Sequence, residues 1–348
     1  MTTVLDYDKS TTVRSLLKQM GIARFLATPG ITEIKINRPG ELWTESCAGW
    51  QRYVAPECSL DMARRLANTL VNFNKGKGPL TEQDPIKSVV LPDGERGQVV
   101  IPPACEANTV SLTIRIASAD RFSLDDLIGF GVFEGYRDVS PHKSVPEGVE
   151  LEPFELDMMA AKEQRDIRRF FELAVHHGLN IVLVGGTGSG KTTLTKALAD
   201  LVPQETCICT IEDTHELSLP YHPNRTHLFF SDMLPATDVV KSTLRMKFDR
   251  VYLSELRGNE AWDYLTLLNT GHEGGMTTVH ANDCISGLGK IATLIKQSPV
   301  GQTLDWNFLL AEVKRTIDVV GFMDRKTKRM TQLYFDLVEK WKLQRGLA

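Results

Sequence analysis

Gly185-Gly186-Thr187-Gly188-Ser189-Gly190-Lys191-Thr192 is the stretch whose reading decides the fold. It fits G-x-x-x-x-G-K-[ST], a loop built to hold phosphate. Its glycines let the backbone curl until successive N–H groups converge on phosphate oxygens. A helix starting at the end of the loop adds its positive pole. Lys191 supplies a charge for β- and γ-phosphates, and the Thr192 hydroxyl is a ligand for Mg2+. The flanks match. Asn180 to Val184 is the short apolar run of a buried parallel strand. Leu194, Leu198 and Leu201 then recur at helical spacing, and Pro203 closes the helix. An ordinary glycine-rich turn needs neither flank.

Working outward, three more apolar runs each end in polar residues. Cys207 to Ile211 ends in Glu212-Asp213, Val251 to Leu253 in Ser254-Glu255, and Met276 to Val279 in His280. Ligands of a parallel α/β sheet sit outside the carboxyl ends of its strands, so four such ends predict one nucleotide site. Glu255 is placed to hold the metal shell or polarise the attacking water. Ser254 stands where an Asp is usual, so Glu255 serves alone, with Mg2+ held through water. Glu212 and Asp213 are neighbours in extended chain and point to opposite sides, so one of the two faces the phosphates. His280 can donate a hydrogen bond to the γ-phosphate. A zinc role for it lacks a second ligand at helical spacing, and His272 is a weaker candidate. Ala160 to His177 reads as one charged helix, and Ile317 to Met323 and Thr331 to Leu337 continue or edge the sheet.

The first part of the chain has another rhythm. Thr11 to Phe25 is amphipathic at helical spacing, and Ile31 to Asn37 alternates as a strand with Glu41 to Glu45 as its hairpin partner. Leu60 to Phe73 is a second helix, followed by strands at Ser88 to Leu91, Arg96 to Ile101 and Thr109 to Ile116. Arg96 and Arg115 lie on apolar strands, where a buried guanidinium needs an anion and an outward one needs only water. Gly129 to Pro153 carries four glycines and three prolines with little periodicity. The expected division is an α+β domain over 1–128, a linker over 129–155, and an α/β domain with a parallel sheet over 156–348.

Composition narrows the class. The 348 residues suggest two domains, and 42% apolar with 24% charged residues is ordinary for a globular chain. A net charge of −4 gives no basic field for nucleic acid. Six scattered cysteines, with Cys207 and Cys209 inside an apolar run, read as thiols in a reducing compartment. Met1 to Ser10 is polar, unlike a secretory signal. No apolar run nears the ~20 residues that span a bilayer. The expectation is a cytoplasmic protein whose membrane contact is peripheral.

Taken together, the phosphate loop, Ile211-Glu212-Asp213-Thr214, Ser254-Glu255-Leu256-Arg257-Gly258 and Thr270-Gly271-His272-Glu273-Gly274 through His280-Ala281 resemble the secretion ATPase superfamily. There they are the Walker A, Asp box, Walker B and His box. Thr32 to Trp43, Gly94 to Val99 and Ser111 to Arg115 resemble the hexameric type IV secretion ATPases of the VirB kind. The resemblance implies a RecA-like P-loop ATPase domain preceded by a smaller α+β domain. It implies ATP and Mg2+ held by Gly186, Thr187, Gly188, Ser189, Gly190, Lys191, Thr192 and Thr193, with Arg96 and Arg115 contacting nucleotide. Glu255, Glu212, Lys191 and His280 are the implied catalytic set. A homo-hexamer at the cytoplasmic face of the bacterial inner membrane follows, with other secretion-system subunits as partners and direct DNA contact left open. The type II secretion and pilus motors are the alternative, but their four-cysteine zinc element and retraction signature are missing. A small-molecule phosphotransferase or a nucleotide-gated scaffold shares only the loop.

Overall fold

The computed structural model describes residues 10–46, 48–74, 76–116, 121–231 and 233–347. The chain divides into two compact units, Met1–Asp120 and Arg121–Ala348.

The first unit is built on six strands: β1 Glu33–Ile36, β2 Gly40–Ser46, β3 Gly49–Ala55, β4 Ile86–Val90, β5 Arg96–Val100 and β6 Ser111–Arg115. They run β3-β2-β1-β6-β5-β4, antiparallel at every pairing. Ile34, Ile36, Leu42, Val99, Leu112 and Ile114 point to one face and join Val13, Leu17, Leu66 and Leu70 in one core. The last four lie on the helices Ser10–Gln19 and Leu60–Phe73. The second of these starts where the sequence places it, because the Ser59 side chain accepts from Met62 N. The helix expected over Thr11 to Phe25 is two, Ser10–Gln19 and Ile22–Leu26. Gly21, at φ 67°, turns the chain between them.

The second unit carries eight strands. They are β7 Arg137–Asp138, β8 Ile181–Gly185, β9 Ile208–Glu212, β10 Arg225–Phe229, β11 Arg250–Leu253, β12 Met276–Val279, β13 Val319–Met323 and β14 Met330–Tyr334. Their order is β10-β9-β11-β12-β8-β13-β14-β7. All pairings are parallel except β13 with β14. β8, β9, β11 and β12 are buried at every position. Alternate residues serve opposite faces: Ile181 and Leu183 pack into one core with Leu173 and Leu198. Val182 and Val184 pack into the other with Val251 and Leu288. The phosphate-loop strand β8 thus lies at the sheet's centre, with β12 between it and β11.

Two expectations for this half need correction. The span 129–155 is not a linker, and the division falls between Asp120 and Arg121. Leu124, Leu127, Phe133 and Tyr136 are buried in the core of the second unit, and β7 pairs with β14. The span looked aperiodic because its apolar residues sit on turns, several opened by Gly131 and Gly135 at positive φ. The helix expected over Ala160 to His177 is also two, Pro153–Glu163 and Ile167–His176. Arg165 breaks it at φ 59°, and Asp166 caps the second by accepting from Arg169 N.

Candidate nucleotide-binding and catalytic site

The loop between β8 and the helix Lys191–Ala199 has the curl its glycines predicted. Gly185, Gly188 and Gly190 take φ 152°, 69° and 100°. A Cβ at Gly185 would stand 2.3 Å from Met323 O, so β13 closes against the loop and leaves no room for a side chain. Gly190 precedes the helix, whose first turn carries Lys191, Thr192 and Thr193. Lys191 is buried and donates from Nζ to Gly185 O at 2.7 Å and Gly186 O at 2.9 Å. Ser189 Oγ is buried without a hydrogen bond, and Lys328 donates to Gly188 O from the β13–β14 turn. Lys328 was not singled out from sequence, because it lies in the turn between β13 and β14, some 140 residues beyond the loop.

The ends of β9, β11 and β12 meet beside this loop. The chain after β11 is held between its neighbours: Ser254 N donates to Ile211 O, Leu256 N to Thr278 O, and Thr278 Oγ1 to Ser254 O, each at 2.9 Å. That fixes where Glu255 emerges. Glu255 Oε1 is 2.7 Å from His280 Nε2. Glu255 Oε2 accepts from Arg257 Nε at 2.9 Å and Nη2 at 2.7 Å, and Arg257 Nη1 donates to Asp213 Oδ2 at 2.7 Å. Burial lowers the His280 pKa below its ordinary value, the positive charge of Lys191 lowers it further, and Glu255 opposes both. Burial works against the charge on Arg257, but its bonds to Glu255 and Asp213 outweigh that and raise its pKa. Glu255 and His280 are therefore brought together within the field of Lys191. Arg257 is the member the sequence did not single out, though it follows Glu255 by two positions.

The pair Glu212-Asp213 separates as extended chain requires. Asp213 reaches the Arg257 cluster. Glu212 is fully buried and turns the other way, accepting from Thr210 Oγ1 at 2.8 Å and from Glu216 N and Leu217 N at 2.7 Å each. Its Oε2 thus ties down the turn that follows β9. Arg96 and Arg115 belong to the first unit, where they face each other across β5 and β6. Arg115 also stands opposite Glu33 on β1. Strand alternation puts the two arginines on the half-buried face, away from Val99 and Ile114.

A RecA-like parallel sheet with a phosphate loop on its central strand and an acidic, histidine-bearing neighbour cluster defines a P-loop ATPase. The chain belongs to the family described as "Type II/IV secretion system protein", whose profile matches residues 146–320. It is 35% identical over 325 residues to "Type IV secretion system protein VirB11" of Brucella suis biovar 1, covering 90% of this chain and 87% of that one. It is 36% identical over 310 residues to "Type IV secretion system protein PtlH" of Bordetella pertussis, covering 87% and 88%. Among solved structures it is similar to the VirB11 ATPase of the Brucella suis type IV secretion system in complex with sulphate. That match has a TM-score of 0.54 and 34% identity, over 97% of this chain and 98% of that one. The pilus retraction motor PilT with bound ADP shares the fold, at 16% identity, TM-score 0.54 and coverage of 87% and 77%.

Proposed function

We propose that this ATPase is the hexameric motor of a type IV secretion system, working peripherally at the cytoplasmic face of the inner membrane. Its turnover powers assembly of the apparatus or passage of a DNA or protein substrate. The observation that carries this is the meeting of Lys191, Glu255, His280 and Arg257 around one phosphate loop. Among the described residues no helix is long and apolar enough to cross a membrane.

The residues fit ATP with Mg2+. The glycine curl, the Ser189 hydroxyl and the Lys191 ammonium offer donors to phosphate, from Gly186 through Thr193. Thr192 and Glu255 are the residues that would hold Mg2+, Glu255 through water, and the ion would supply neutralisation of phosphate charge. Glu255 orients the attacking water, and its carboxylate is itself aimed by Arg257. His280 donates to the γ-phosphate and so reports its presence to the end of β12. Glu212 acts from behind, positioning the turn that presents Asp213 to Arg257. Arg96 and Arg115 support turnover from the first unit.

The test is a phosphate-release assay joined to light scattering, with and without ATP and Mg2+. A Mg2+-dependent release by a six-subunit particle is expected. ATP binding without release would leave a nucleotide-gated scaffold, and a monomer in both conditions would remove the ring motor.

A further inference from the structure

A second cluster lies around the buried carboxylate of Glu212. His227 sits in the middle of β10, directly opposite Thr210 in β9, and His215 sits on the turn after β9. Glu212 Oε1 is 3.3 Å from His215 Nδ1 and 3.8 Å from His227 Nδ1. One ligand atom from each of the three residues lies within 4.8 Å of the other two. A tetrahedral ion with bonds of ~2.0–2.2 Å to nitrogen and oxygen sets its ligands about 3.4 Å apart. Glu212 Oε1 and His215 Nδ1, at 3.3 Å, are close to that spacing, whereas His227 Nδ1, at 3.8 Å, has to turn inward and give up its 2.7 Å contact with the Thr210 hydroxyl.

The carboxylate is held for this role. Glu212 Oε2 is fixed by the Glu216 and Leu217 N–H groups, which leaves Oε1 turned toward the two imidazoles. The Thr210 hydroxyl braces that oxygen at 2.8 Å. Such outer contacts orient metal ligands in established sites. The imidazole rings lie 4.3 Å apart at 64°, an edge-on contact and not a stacked one. The His215 side chain is 47% exposed, which gives an ion a way in and leaves one position for water.

We propose that Glu212, His215 and His227 form a transition-metal site that takes Zn2+. Two imidazole nitrogens and one carboxylate oxygen suit zinc and its neighbours, whereas Mg2+ and Ca2+ favour all-oxygen shells. The site is separate from the phosphate loop's Mg2+. A bound ion ties the turn after β9 to the edge strand β10, adding metal bonds to the ring contacts that His215 makes with His227 and Phe229. This proposal stands whether or not the chain is a secretion motor.

The test is competition for Zn2+ between the metal-free full-length chain and a chromophoric chelator, with Co2+ absorption as a second readout. One Zn2+ per chain is expected, together with intense visible bands typical of four-coordinate Co2+. His215→Ala, on an exposed turn, and His227→Gln should each weaken Zn2+ binding by at least ~10-fold with unchanged far-UV circular dichroism. Cys207→Ser should bind like the unmodified chain. No stoichiometric binding by the unmodified chain would overturn the site. So would binding that survives both histidine changes or disappears with Cys207→Ser, and Thr210–His227 at 2.7 Å would then be a plain hydrogen bond.

Discussion

In the first unit, β1, β5 and β6 alternate between buried and half-buried positions. In the second, β8, β9, β11 and β12 are buried throughout. The contrast follows from connection. An antiparallel sheet can leave one face to water, whereas a parallel sheet is covered on both faces by its crossover helices. Charged side chains can therefore ride along the strands of the first sheet, as Glu33, Lys35, Arg96 and Arg115 do. In the parallel strands of the second sheet they are pushed to the ends, where Asp213, Glu255 and His280 gather around Arg257 and Glu212 turns the other way. Polar chemistry is diffuse in one sheet and concentrated in the other because of how the strands are joined.

The strongest way to break the contrast is to remove charge from the concentrated site. Lys191→Ala should abolish phosphate release, because the anionic phosphates lose their main mobile counter-charge. A folded variant that hydrolyses ATP near the normal rate would show that the strand ends are not the site. Next, Glu255→Gln keeps shape and removes the charge that polarises water. ATP affinity should persist while turnover falls by ~10²-fold or more, measured by nucleotide titration beside steady-state release. Arg96→Ala in the first sheet should lower turnover by less than Glu255→Gln does, and an equal loss would show that the strand ends of the second sheet do not carry most of the chemistry.

Packing gives a smaller effect. Leu183 on β8 is 2% exposed and Val54 on β3 is 79% exposed. Leu183→Ala should cost about 2–5 kcal/mol in denaturant unfolding, and Val54→Thr less than about 0.5 kcal/mol. Similar costs would mean that β3 is covered in solution. The smallest effect concerns thiols. Burial pushes Cys209 and Cys284 up to about 12 and Cys58 up to about 11. Only the thiolate reacts, and its fraction rises about tenfold per pH unit below the pKa. At pH 8 a thiol reagent should therefore label the half-buried Cys105 and Cys207 before these three, with mass spectrometry reading the order. Early labelling of Cys209 would show that β9 opens.

The same contrast explains what could be read from sequence. The four runs behind the site were legible because double burial leaves them nearly all apolar. β1, β5 and β6 were legible because single burial leaves a two-residue period. β3 was not, since Gly49 to Val54 bury almost nothing and so carry no apolar pattern. β10 was missed for the same reason, being a half-exposed edge strand. Residues 129–155 mixed buried aromatic residues with turn glycines, and composition alone could not show that Phe133 and Tyr136 point inward. Within the site, alternation showed that Glu212 and Asp213 diverge. Which one meets Arg257 depended on the N–H groups of the turn beyond them, which no spacing in the sequence encodes.

The hydrogen bonds of Lys191 have a consequence for selectivity. Its ammonium is already donated to the carbonyls of Gly185 and Gly186. A ligand that recruits this lysine trades against those two contacts, so the gain is a difference between acceptors and not a whole new interaction. Neutral carbonyls are weak competitors for a polyanion, because charge-assisted hydrogen bonds are roughly twice as strong as neutral ones. They compete far better with an uncharged hydroxyl or amide. The loop thus screens its visitors by charge before shape is consulted, and a nucleoside stripped of its phosphates finds the lysine already engaged.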